Sequence, residues 1–76
     1  MERKLKKGSI CLHFKGDKYR VLIPDAHWHD DSSLMVVYES IKTHKVCVRP
    51  YDMFMSEVDH EKYPNVKQRY RFEILN

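Results

Sequence analysis

Short windows of alternating apolar and polar side chains, separated by turn residues, set the pattern of this chain. Ile10, Leu12 and Phe14 alternate with Cys11 and His13, the period of two that marks a half-buried strand. On this alternation the His13 side chain is expected to point away from the core face. Lys15-Gly16-Asp17-Lys18 follows as a tight hairpin. Gly16 would supply the positive φ that a type II′ turn requires at its first central position. A second strand starts at Tyr19, with Tyr19, Val21 and Ile23 on one face and Arg20 and Leu22 on the other, and Pro24 is expected to stop it. Residues 25–33 then form a polar loop, longer than an ordinary hairpin connection and so a place to look for function.

Residues 34–38, Leu-Met-Val-Val-Tyr, are nearly all apolar, as a strand covered on both faces would be. Lys42-Thr43-His44 makes a turn without glycine, residues 45–49 make a fourth strand, and Pro50 ends it. Residues 51–58 favour a helical turn, with Asp52 in its first turn and Phe54 and Val58 on one face. Met53 and Phe54 are assigned to the core. Residues 59–67 are charged, carry Pro64 and form an excursion. In residues 68–75, Tyr70, Phe72 and Ile74 alternate with Arg69, Arg71 and Glu73 as a closing strand. These elements predict a mostly β fold: a small SH3-like barrel or roll of about five strands, with one short helical turn before the last strand. Closure would hide the sheet edges. No window sustains a 3.6-residue period, which argues against a helix-turn-helix.

Seventy-six residues make one domain. Residues 1–7 are expected to be a frayed basic lead-in, and 8–76 a single small β-barrel domain. The 42% apolar and 33% charged fractions suit a folded soluble protein. No apolar run approaches the length of a membrane span, and no signal-peptide core follows the basic start. Cys11 and Cys47 lie far apart and read as reduced thiols. A cytoplasmic protein with no membrane partner is the expectation. The net charge is only +3. An acidic middle segment (Asp25, Asp30, Asp31, Glu39) separates two basic ends, a weaker pattern than the basic stripe of a dedicated nucleic-acid binder.

Several blocks carry a resemblance in concert. They are His13-Phe14-Lys15-Gly16 followed by Tyr19 and Val21-Leu22, then Met35-Val36-Val37-Tyr38, then Val48-Arg49-Pro50 with Met53-Phe54, and finally Arg71-Phe72. Over about residues 8–73 this spacing resembles the bacterial family described as domain of unknown function 1653. The resemblance implies a compact, mostly β bacterial domain and no established activity. The chain departs from the family pattern at Cys11, where an aromatic is usual, and at Cys47, which stands for a tryptophan. It also departs at Trp28-His29-Asp30-Asp31, at Tyr70, and in the lengthened segment 59–67.

The chemistry-bearing residues point to binding rather than reaction. His13, Lys15, Tyr38 and Arg49, bordered by His27 and Trp28, are the candidate ligand site, with Arg49 offering its guanidinium fork to a carboxylate or phosphate. The expected function is a non-enzymatic binding or adaptor module for an anionic group on a peptide or small molecule. The alternative is a single-stranded nucleic-acid-binding barrel, stacking bases on Tyr19, Trp28, Tyr38, Tyr51, Tyr63 and Tyr70 amid lysines and arginines. Cys11 and His13 are neighbours on one strand face, but a catalytic pair also needs an orienting group and an oxyanion site. The chain has neither a nucleophile elbow nor a glycine-rich phosphate loop. His27-Trp28-His29-Asp30-Asp31 has metal-ligand residue types, but reads as a solvated loop with Trp28 as a lid. Neither a catalytic residue nor a metal or cofactor is expected.

Overall fold

The computed structural model describes residues 4–75. The elements are β1 (Ile10–His13), β2 (Lys18–His27), β3 (Leu34–Ser40), β4 (Val46–Pro50), α1 (Tyr51–Phe54) and β5 (Phe72–Ile74). All five strands lie in one antiparallel sheet, in the order β4-β3-β2-β1-β5. The mostly β class and the helical turn before the last strand match expectation. The closed barrel does not form, because β4 and β5 are the two edges and do not pair. They approach instead through side chains: the Arg49 guanidinium on β4 lies 5.8 Å from the ring centre of Phe72 on β5. The sheet is therefore rolled but open.

The roll closes over an aromatic core. Cys11, Val21, Val36, Tyr38, Phe54 and Phe72 form its buried cluster. Phe54 and Phe72 stack with ring centres 4.0 Å apart and planes within 6°, and Tyr38 meets both rings edge-on. Pro50 presets the chain entering α1. The helix ends after a single turn, so Phe54 is fully buried while Met53 is 48% exposed, and Met53 does not belong to the core. Val58 is buried too, outside the helix, where its N–H donates to Arg69 O.

Strand β1 shows its alternation with the faces reversed from expectation. Cys11 is fully buried and His13 lies on the same inner face, while Ile10 and Leu12 lie on the other. Period two defines two faces but does not say which is inside. Here Tyr38, Phe54 and Phe72 fill the interior and leave β1 room for a small side chain. In β3 the burial alternates as well: Val36, Tyr38 and Ser40 are buried, while Met35, Val37 and Glu39 between them are only half-buried. One face is covered rather than two.

Pro24 does not stop β2. The strand runs to His27, with two shifts in its pairing to β3, between Val21 and Ile23 and between Ile23 and Ala26. Pro24 sits in this irregular stretch, where a missing N–H costs the ladder least. The shifts turn Ile23 outward and shorten the following loop to residues 28–33. The β1–β2 hairpin also differs in detail. Gly16 N–H bonds His13 O, and His13 N–H bonds Asp17 O, so the turn is centred on Phe14 and Lys15. Gly16, at φ +104°, follows the turn as the positive-φ residue of a three-residue loop. At the β3–β4 turn His44 takes φ +61° and the Ser40 hydroxyl accepts the Thr43 N–H. Strand β5 is shorter than residues 68–75; before it, Tyr70 makes an isolated bridge to Glu57.

Leu5 of the lead-in packs on the core, and Gly8 N–H donates to Val21 O. Residues 1–3 lie outside the described residues. Cys11 and Cys47 are both free thiols.

Candidate functional site: a basic cleft

The open side of the roll holds a cleft of about 270 Å³. The β1–β2 hairpin contributes His13, Phe14 and Lys15, and β4 contributes Arg49. The excursion after α1 adds Asp59, Lys62 and Tyr63, and Arg71 comes from just before β5. The hairpin is tied to this last segment by the Phe14 N–H, which donates to Arg71 O at 3.1 Å.

His13 ends β1 on its inner face, edge-on to Phe72 at 4.9 Å and stacked on Phe14 at 4.5 Å. Its Nδ1 accepts the Lys15 N–H at 3.1 Å. Burial pushes the ring's pKa below the ordinary histidine value, and Arg49, Lys15 and Arg71 push it the same way against a smaller opposing effect of Asp17. A nitrogen that accepts carries no proton, so the neutral ring has its proton on Nε2. His13 thus offers a donor rather than a charge.

The two arginines are held in the same manner. Arg49 Nε donates to the Tyr38 hydroxyl at 3.3 Å, and Arg71 Nε donates to Ser56 Oγ at 3.3 Å. Ser56 is itself fixed by donating to Met53 O at 2.6 Å. Among the described residues neither guanidinium makes another hydrogen bond, so the terminal Nη groups face no protein acceptor. The lysines rest on rings: Lys15 Nζ lies 5.7 Å from the centre of Tyr63, and Lys62 Nζ lies 5.5 Å from it. Tyr63 in turn packs 5.0 Å from Phe14.

Asp59 is the cleft's carboxylate, and one of its oxygens is held by the backbone. Its Oδ1 accepts the N–H groups of Glu61 and Lys62, and its carbonyl accepts that of Tyr63. Ion pairs among the described residues lie elsewhere, Arg20 to Glu39 and Arg69 to Glu57, and His44 Nδ1 also lies 3.4 Å from Glu39. Four cations therefore share the cleft without a carboxylate partner among the described residues.

Of the residues expected at the site, the fold brings His13, Lys15 and Arg49 together. Tyr38 is buried behind Arg49 and supports it without lining the cleft. His27 and Trp28 do not border it. They lie at the far end of β2, roughly 25–30 Å along the strand from the hairpin at about 3.3 Å per residue, and Trp28 is 52% exposed. Phe14 and Lys62 were not foreseen, and Tyr63 and Arg71 figured only in the nucleic-acid alternative, not at this site. The charged, tyrosine-bearing excursion was the available signal, and the more polar loop at residues 25–33 drew attention from it.

Other constellations do not assemble. In the 28–33 loop Asp31 accepts the Ser33 hydroxyl at 2.6 Å and its N–H at 2.9 Å, and these bonds lower its pKa. Among the described residues no group of three His, Cys, Asp or Glu side chains is arranged to hold a metal ion. Cys11 shares a face with His13 but is sealed in the core, out of reach of a substrate. Among the described residues no helix is long and apolar enough to cross a membrane.

No curated protein and no solved structure matches this chain. A family model described as "Protein of unknown function (DUF1653)" matches residues 9–74, nearly its full length, and the chain belongs to that family.

Proposed function

We propose that this domain is a non-enzymatic binding module whose basic cleft takes an anionic group of a peptide or small molecule. The observation that carries this reading is the convergence of Lys15, Arg49, Lys62 and Arg71 on one concavity without carboxylate partners among the described residues. Gathering like charges costs folding free energy, and a bound anion offsets that cost. Each arginine is held from behind through Nε, which leaves its Nη groups for a ligand. Nucleic-acid stacking is less favoured, because Tyr38 is buried in the core, which takes that ring from the surface.

A thermal-unfolding screen against small anions and acidic peptides tests the proposal, since a ligand that binds only the folded state raises Tm by mass action. The wild type and a Trp28→Ala variant should both be stabilised by the same compounds, and an Arg49→Gln variant should not. A hit that stabilises Arg49→Gln as well as wild type would place binding elsewhere. Stabilisation lost in Trp28→Ala would restore the loop at residues 28–33 to the site.

A further inference from the structure

Resting on that anion reading, we infer that the group the cleft prefers is a phosphate monoester carried by a small molecule. The first reason is charge. Lys15, Arg49, Lys62 and Arg71 face one carboxylate, Asp59, whose Oδ1 already accepts two backbone N–H groups. A carboxylate ligand brings a single charge and two oxygens. A phosphate monoester brings about −1.5 to −2 at pH 7 and three acceptor oxygens, a closer match to the donors present.

The second reason is geometry. Arg49 comes from β4 and Arg71 from the approach to β5, and each is braced through Nε on a hydroxyl, Tyr38 Oη or Ser56 Oγ. Two forks entering from different segments suit a tetrahedral anion, whereas one fork is enough for a planar carboxylate. His13, neutral with its proton on Nε2, adds a donor without further repulsion. The lysines rest on the rings of Phe14 and Tyr63 rather than on acids, so turning toward a ligand breaks no ion pair among the described residues. A cleft of about 270 Å³ is near the lower bound of small-molecule sites, roughly 300 Å³, and has room for a phosphate with a modest substituent.

The test is a backbone-amide NMR titration of the full chain at pH 7.5 and constant ionic strength. Three probes share one ring and differ in the anion: phenyl phosphate, methyl phenyl phosphate and benzoate. Phenyl phosphate should shift His13, Lys15 and Arg71 saturably, with a Kd at least about tenfold below those of the two monoanions. Arg71→Lys keeps the charge but loses the fork, and should bring phenyl phosphate down toward benzoate. Lys62→Gln, on the excursion and outside the core, should weaken phenyl phosphate more than benzoate in a fold left intact. Equal affinity for the three probes at the same amides would overturn the phosphate inference and leave the anion reading standing. No shift with any probe would overturn both.

Discussion

The Tyr38 hydroxyl accepts a 3.3 Å hydrogen bond from Arg49 Nε. One buried ring thereby serves two purposes, packing against Phe54 and Phe72 in the core and aiming a guanidinium into the cleft. Tyr38→Phe separates them. The variant keeps the ring and loses the bond, so stability should fall by about 0.5–1.5 kcal/mol, measured by urea unfolding. Anion affinity should fall several-fold as Arg49 loses its orientation. An unchanged affinity would mean that Phe72 alone positions the guanidinium.

Neighbouring residues of α1 should respond in opposite ways to truncation. Phe54 is fully buried and stacked on Phe72, so Phe54→Ala should cost about 3–5 kcal/mol and can unfold so small a domain. Met53 is half exposed, and Met53→Ala should change stability by no more than about 0.5 kcal/mol. Chemical denaturation of the two variants side by side checks the assignment of the helix faces.

His13 gives the fold a pH dependence whose sign follows from its surroundings. Burial and the nearby cations lower its pKa in the folded state below the ordinary 6.5. The unfolded chain therefore binds the proton more readily, and stability rises with pH through this window. The contribution is complete above pH 6.5 and is lost as pH falls through the lowered folded value. Urea unfolding between pH 7.5 and 5 should show wild type losing more stability than His13→Gln, which cannot titrate there. Parallel curves would mean the ring titrates as it does in the unfolded chain.

Gly16 is needed for its backbone, not for space. Nothing lies within 4 Å of a Cβ built there, yet its φ is +104°. Gly16→Ala should destabilise by about 1–2 kcal/mol through backbone strain alone, read as a lowered urea midpoint with an unchanged m value. Because the hairpin carries His13 and Lys15, the variant should also weaken anion binding.

The local pattern of the chain determined much of this protein. Alternation located β1 and the last strand, Pro50 marked the end of β4 and the start of a helical turn, and joint spacing of blocks such as Val48-Arg49-Pro50 with Met53-Phe54 pointed to the family. These features depend on neighbours in sequence. What the tertiary structure decided depends on volume and on the roll of the sheet. Alternation alone does not say whether Cys11 or Ile10 faces inward; the bulk of Tyr38, Phe54 and Phe72 on the opposing elements settled it. Two pairing shifts carried β2 past Pro24 and moved His27 and Trp28 to the far end of the sheet. The cleft itself joins His13, Arg49, Lys62 and Arg71 from four segments. Their meeting follows from the rolled sheet drawing β4 toward β5, a relation between distant parts of the chain that no local pattern encodes.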